Sequence, residues 1–398
     1  MEQVLYKKEI EEIKDSGYLR KDSTITDALI DNFYNSILKK DEKKILELAF
    51  SENMHQEDLD DLLKIWDIEV KGGAKSLMLA YIMKMHPEMK FTSYEEPRLK
   101  GLLNFYKFSN MGIISHYKKI CRALNAEGIT PMILKGGAMK FLRPELPRIM
   151  GDIDILVPDN VFMKSAKIAC SLGYVFYDIY SHSIDIHKPD SDSGVLDIHR
   201  FIFMGTGHER KLLKNLFKRS REENVFGVKT LIPSNEDMMF ISLVNLARNL
   251  REKTSQAGLI YTIFDCKFLQ ESKPDFDWEI VKENARLTKT EVQMNFAIKF
   301  LMRISKNIFP EALQSDVLFE KETIEYSNMV MFNRFYLEDL RTICHPLKMQ
   351  DLFIKPVIWS DYFKYKPKYF GLKLLRKHPK LIEWFIKDLK TKDYNFEK

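Results

Sequence analysis

The apolar residues of the first hundred positions recur at the spacing of amphipathic helices. They repeat three and four residues apart over 28–40, and the same pattern predicts helices over 41–50, 55–66 and the segment that follows Gly72-Gly73. A long amphipathic segment then runs from about 100 to 126 and ends at Glu127-Gly128, where glycine is a natural helix C-cap. Residues 1–105 are therefore predicted to form an N-terminal helical region.

The pattern changes after Gly128. The segment 129–134 (ITPMIL) is short and apolar, which predicts a buried strand, and 151–158 (GDIDILVP) alternates acidic and aliphatic residues, as a strand with two different faces does. A helix closed by Gly173 and two or three further strands between 175 and 203 complete a predicted α/β core over 106–233.

From Pro233 onward the pattern is helical again for most of the chain. The predicted fold class is therefore α+β: a mixed-sheet core flanked by an N-terminal helical region and a C-terminal helical region, 234–398.

Composition excludes few classes of protein. The 398 residues include 62 basic and 57 acidic side chains, a net charge of +5 that is small for a nucleic-acid-binding protein. The four cysteines (Cys121, Cys170, Cys266 and Cys344) lack zinc-ligand spacing, which favours a reducing compartment. Because no signal-peptide core and no transmembrane segment is apparent, we expect a cytoplasmic protein.

Asp152 and Asp154 form the first candidate site. One residue apart on a strand, their side chains share a face and lie ~7 Å apart at Cα. Two such carboxylates repel each other unless a cation neutralises them, and hard oxygen ligands suit Mg²⁺. The alternative is an exposed strand face with two solvated acids.

Lys135, Gly136 and Gly137 follow the first predicted strand and begin a short helix. Glycines there let backbone N–H groups approach an anion, and Lys135 can contact a phosphate. The alternative is an ordinary strand-to-helix turn, since no Walker A pattern is present.

Asp197 lies in the middle of an apolar strand, VLDIH, where an acid is costly to bury without a partner. A cation held by Asp152 and Asp154 would supply that partner, or Asp197 would act as a general base. The alternative is an edge strand with Asp197 facing water. We expect His199 to orient Asp197 or to pack, not to bind metal.

In this order, the motifs resemble the bacterial uncharacterised nucleotidyltransferase family of the polymerase-β-like superfamily. The resemblance covers roughly 105–285 and rests on Leu134-Lys135-Gly136, on the strand from Arg148 to Val157 (RIMGDIDILV), and on Leu196-Asp197-Ile198-His199. The wider superfamily has Gly-Ser where this chain has Lys135-Gly136, so backbone or Lys135 must replace the serine's phosphate contact.

The resemblance implies an enzyme that transfers a nucleoside monophosphate from an NTP to an unidentified acceptor. Mg²⁺ would be bound by Asp152, Asp154 and Asp197. The triphosphate would be held by Lys135, Gly136, Gly137 and Arg148, although a structural ion pair suits Arg148 equally well. The acceptor is expected to be a small molecule or peptide. The alternative is a protein of this fold that binds nucleotide or a partner without turnover.

Three further features are expected to be structural. His182 and His187 lie near Asp185 and Asp190 in what the spacing predicts to be a surface hairpin. Asp265 is expected to pair or cap within the helical region. The segment 355–398 holds twelve basic and five acidic residues among aromatics, which favours docking of a terminal helix over nucleic-acid contact.

Overall fold

The computed structural model describes residues 30–309, apart from short gaps at 32–33, 36–37, 52, 67–72, 146, 180–181, 190–194, 203–208, 250–255, 289 and 306–307. The predictions for residues 1–29, for Asp190, for Cys344 and for the basic segment 355–398 concern residues outside this range.

A seven-stranded mixed sheet lies at the centre, with the strand order β3-β4-β5-β2-β1-β7-β6. Two neighbouring pairs, β2–β5 and β1–β7, are parallel, and the other pairs are antiparallel. The strands are β1 (Met132–Ile133), β2 (Asp152–Leu156), β3 (Val175–Ile179), β4 (Ser183–His187), β5 (Val195–His199), β6 (Arg221–Val225) and β7 (Val228–Ile232).

Helices precede, interrupt and follow the sheet. Those before it are α1 (Lys40–Ala49), α2 (Gln56–Ile65), α3 (Gly73–Met85) and α4 (Glu95–Ala126). Those within it are α5 (Lys135–Leu142), α6 (Phe162–Ser171) and α7 (Glu209–Arg219). Those after it are α8 (Asn235–Asn249), α9 (Gln256–Glu271), α10 (Trp278–Thr288) and α11 (Glu291–Ile304).

The long helix α4 packs between the N-terminal helices and the sheet, where it contacts β2, β5 and β7. Its buried residues Ile113, Tyr117, Ile120 and Leu124 recur at helical spacing. The Tyr117 hydroxyl lies 2.6 Å from Thr230 Oγ1, so its one polar group is satisfied inside the core. Full burial of each large side chain stabilises the fold by about 1.5–3 kcal/mol.

The C-terminal helices pack around α8, which contacts α5, α9, α10 and α11. At its start, Ser234 Oγ accepts the N–H of Asp237, as an N-cap does. Asp237 also pairs with Arg219 at the end of α7 and accepts a hydrogen bond from Asn284 of α10. One buried carboxylate therefore joins three helices beside the sheet.

The predicted fold class, a mixed-sheet α+β core between helical regions, is confirmed. Three details differ from expectation, one of them the unpredicted hairpin of β6 and β7. The strand predicted over 129–134 is reduced to Met132–Ile133, and the predicted surface hairpin contributes β4, an inner strand on which Ser183 is buried. Within the described ranges, no helix combines the length and apolar character that crossing a bilayer requires.

Candidate active site

Three aspartates from adjacent strands form a row across the sheet. Asp154 of β2 is in register with Asp197 of β5, and Asp197 is in register with Asp185 of β4. Asp152 precedes Asp154 by two residues and therefore shares its face. Because β5 lies between β4 and β2, Asp197 is not on an edge strand, and its side chain is 18% exposed. The sheet thus brings the predicted acids together.

His199 lies next to two of these aspartates, Asp154 and Asp197. The residue is 1% exposed, and its Nε2 lies 2.8 Å from Asp154 Oδ1 and 3.8 Å from Asp197 Oδ2. Its Nδ1 lies 3.1 Å from the main-chain oxygen of Phe201. Ligand atoms of Asp154, Asp197 and His199 all lie within 4.8 Å of one another. His199 therefore contacts Asp154 more closely than Asp197, the partner that we expected from the sequence.

Lys135 supplies a positive charge to the same carboxylate. Its Nζ lies 2.6 Å from Asp154 Oδ1, and it is the first residue of α5. Its φ of 45° lies in the left-handed region, a conformation that costs a residue other than glycine about 1–2 kcal/mol. In this structure Lys135 forms an ion pair with Asp154, which uses one of the three N–H donors of its ammonium group.

The acids differ sharply in proton affinity. Burial, then the charges of Asp154 and Asp185, raise the pKa of Asp197 to about 9. Asp152 is exposed as a residue, yet the loss of water around its carboxyl group and the charge of Asp154 raise its pKa to about 6. Burial also opposes ionisation of Asp154, but Lys135 and His199 outweigh it and hold that pKa below its usual range.

Gly136 and Gly137 have packing reasons for lacking a side chain. A Cβ on Gly137 would lie 2.9 Å from Ile133 Cδ1 and 3.1 Å from Ile153 Cγ2, so the start of α5 approaches the sheet as closely as glycine permits. A Cβ on Gly136 would lie 3.2 Å from Nε of Arg148. These contacts set the position of the α5 N-terminus next to Asp154.

Arg148 forms a buried ion pair with Asp265 of α9 in which both guanidinium NH₂ groups contact the carboxylate, one of them at 3.0 Å. Asp265 therefore forms an ion pair, but its partner lies in the α/β core and not in the helical region where we expected it. The main chain beside Arg148 is also held: Asn110 Nδ2 donates to the Arg148 oxygen at 2.7 Å, and the N–H of Ile149 donates to the Tyr261 hydroxyl at 3.1 Å. Helices on both sides thus fix the chain just before β2.

The arrangement fits a divalent cation. Asp154 and Asp197 offer carboxylate oxygens on one side of the sheet, and burial, followed by the negative charges of Asp154 and Asp185, raises the pKa of Asp197 there. Divalent ions are bound by such oxygen sets, with a substrate phosphate or water completing the coordination. The donor set is therefore suitable for a divalent cation.

A mixed sheet that presents paired aspartates beside a glycine-containing helix start is the arrangement that the resemblance to nucleotidyltransferases implied. Residues 79–304, more than half of the chain, match the family described as uncharacterised nucleotidyltransferase. The protein belongs to that family.

Solved structures and curated proteins add less. The antibiotic-resistance factor ANT(2'')-Ia matches at 13% identity with a TM-score of 0.33, covering 44% of this chain and 91% of that one. A nucleotidyltransferase-like protein from Paracoccidioides brasiliensis matches at 14% identity with a TM-score of 0.27, covering 48% and 91%. No curated protein matches the sequence at a significant level.

Sequence reasoning missed Asp185 as a member of the site. Its carboxyl group is hydrogen-bonded to that of Asp197. A signal was present, because β4 and β5 share the run Asp-Ile-His, at 185–187 and 197–199. Two antiparallel strands with the same alternation place like residues on one face, so the shared run was enough to suggest that Asp185 joins the row.

Proposed function

We propose that the protein is a divalent-cation-dependent nucleotidyltransferase that moves a nucleoside monophosphate from an NTP to an acceptor and releases pyrophosphate. The observation that carries this proposal is the register of Asp154 with Asp197, on adjacent strands, next to the start of α5. Family membership supports the same reaction class.

Each predicted site residue has a role in this reaction. Asp152, Asp154 and Asp197 hold the cation, which when bound neutralises charge on the phosphates and on the leaving pyrophosphate. Lys135, once separated from Asp154, contacts the triphosphate. The N–H groups at the start of α5, from Gly136 and Gly137, face the same anion.

Arg148 has a positioning role in this proposal. Because Asp265 already pairs with its guanidinium group, Arg148 is not free to follow a phosphate through the reaction. Its packing against Gly136 instead supports the first turn of α5. The Arg148–Asp265 ion pair therefore contributes to the triphosphate site indirectly, by holding the first turn of α5 in position.

In this proposal the carboxyl pair formed by Asp197 and Asp185 is the general base that takes the proton from the acceptor hydroxyl. Burial and mutual repulsion raise the pKa of Asp197 to about 9, so the pair shares a proton at neutral pH. Its remaining carboxylate is an acceptor for a hydroxyl proton, and the positive charge of a bound cation lowers the raised pKa toward neutrality.

A second candidate is nucleotide or partner binding without turnover. One observation favours it: Asp154 already has two partners, Lys135 Nζ at 2.6 Å and His199 Nε2 at 2.8 Å. If the ammonium group of Lys135 stays on Asp154 Oδ1, that oxygen is not available to a cation, which favours binding without transfer.

Labelled nucleotides distinguish the two candidates. The purified protein is incubated with each α-labelled NTP, with Mg²⁺ or Mn²⁺, and with a cell extract as the source of acceptor. Asp154→Asn is the test variant, and Asp275→Asn, an exposed acid in the loop after α9, is the matched control. We expect a labelled product with the wild type and Asp275→Asn and none with Asp154→Asn.

Two other outcomes contradict the enzyme proposal. Equal labelling by all three proteins shows that these acids do not carry the reaction. Saturable binding of the metal–NTP complex to the wild type, with no product from any extract after hours, supports the second candidate.

A further inference from the structure

Both ring nitrogens of His199 face oxygen atoms. Nδ1 lies 3.1 Å from the main-chain oxygen of Phe201, which accepts and never donates, so Nδ1 carries a hydrogen and donates it. A neutral imidazole has no second hydrogen, and its Nε2 then directs a lone pair at Asp154 Oδ1, 2.8 Å away. Two lone pairs at this distance require a positive centre between them, either a proton or a metal ion.

The spacing suits a metal ion. Donor atoms in neighbouring positions around an ion, each about 2.1 Å from it, lie about 3 Å apart. The 2.8 Å between His199 Nε2 and Asp154 Oδ1 is close to this value, and the 3.8 Å to Asp197 Oδ2 is also within the span of one coordination sphere. Three donor atoms are thus grouped as a ligand set, from which a metal ion would displace the Lys135 ammonium group that lies 2.6 Å from Asp154 Oδ1.

The surroundings hold the ring in this orientation. The Phe201 oxygen fixes one nitrogen, which is the outer contact that metal-binding histidines commonly make. The ring of His182 packs edge-on against that of His199, with centroids 5.4 Å apart. Because His199 is 1% exposed, no water-facing alternative competes for Nε2.

We propose that His199 Nε2 is a direct metal ligand beside Asp154 and Asp197, and that the site therefore prefers a first-row transition-metal ion to Mg²⁺. Imidazole nitrogen binds transition-metal ions well, whereas Mg²⁺ selects oxygen ligands. The inference deepens the proposed function and rests on it, since it takes the same two aspartates as the cation ligands.

Mn²⁺ is the probe that tests this ligand directly. Pulsed EPR of Mn²⁺ bound to the nucleotide-free protein detects a coordinated imidazole through the ¹⁴N modulation of the electron spin echo. We expect this modulation in the wild type and in His187→Gln, the matched control from the equivalent Asp-Ile-His run on β4. We expect no modulation in His199→Gln, together with a lower affinity for Mn²⁺ relative to Mg²⁺.

The wild-type spectrum decides the matter even if His199→Gln fails to fold. Stoichiometric Mn²⁺ without nitrogen modulation overturns the inference and assigns the positive centre to a proton, and so does a failure of Mn²⁺ to bind. If Mn²⁺ supports transfer of label but no modulation is seen, His199 is not a metal ligand, and the proposed transferase activity still stands. Nitrogen modulation without transfer of label would support His199 as a metal ligand and contradict the proposed transferase activity.

Discussion

Adding a divalent cation to the metal-free protein is expected to release protons. Asp197 has its pKa raised to about 9 by burial and by the charges of Asp154 and Asp185, and Asp152 has its pKa raised to about 6. A carboxyl group must lose its proton before it binds a metal ion, so each ion bound displaces whatever protons these two groups hold.

The contribution of the two carboxyl groups to this number follows from their pKa values. At pH 7 a group with a pKa of about 9 is about 99% protonated and one with a pKa of about 6 about 10% protonated, so Asp197 and Asp152 together release about 1.1 protons per ion. At pH 9 they release about 0.5. Because both pKa values are raised, the cation competes with protons, and its affinity rises with pH until about pH 9.

Isothermal titration calorimetry measures this release. Mn²⁺ is titrated into chelator-treated protein in two buffers of different ionisation enthalpy, first at pH 7 and then at pH 8 and pH 9. Asp275→Asn should match the wild type, and Asp197→Asn should release about one proton fewer at pH 7. A release that stays constant from pH 7 to pH 9, or an unchanged value in Asp197→Asn, would refute the reasoning.

Three further changes test the surroundings of the site. Asp265→Ala leaves the Arg148 guanidinium buried and unpaired, so the free energy of unfolding should fall by about 3–5 kcal/mol in chemical denaturation, with part of the loss recovered when Arg148→Met is added. Gly137→Ala, whose methyl group would meet two isoleucine side chains, should destabilise by about 1–3 kcal/mol, whereas Gly101→Ala, which has open space on α4, should not destabilise at all. Lys135→Met should tighten Mn²⁺ binding about tenfold or more without nucleotide, because the lysine ammonium group competes with the cation for a carboxylate. The same variant should weaken NTP binding, because the proposed phosphate contact is lost. Unchanged affinities in titrations of both ligands would show that Lys135 does not exchange partners.

The sequence and the family resemblance were sufficient to predict that Asp154 and Asp197 lie side by side on one face of the sheet. Alternation along GDIDIL and VLDIH identifies two strands with acids on one face, and the family resemblance makes the strands neighbours. The partners of Lys135 and Arg148 were not predictable in the same way. Arg148 and Asp265 are 117 residues apart, and no local pattern links residues at that distance.

The hairpin of β6 and β7 was missed for a different reason. Its first strand, Arg221–Val225, is mostly polar and exposed, so it lacks the apolar alternation that identifies a strand. The turn consists of Phe226 and Gly227, both with positive φ, and Phe226 is not a residue type that signals such a turn. Pairing with β7 next to the buried β1 supplies the stability that the local sequence does not.

The hydrogen bonds ahead of β2 limit how far the protein can be trimmed. Asn110 accepts the N–H of Met150 at 3.0 Å and donates to the oxygen of Arg148, and Tyr261 accepts the N–H of Ile149. A truncated protein expressed from the sheet and its intervening helices alone would lose both α4 and α9. The smallest fragment that retains a rigid approach to Asp152 must therefore extend from α4 through α9.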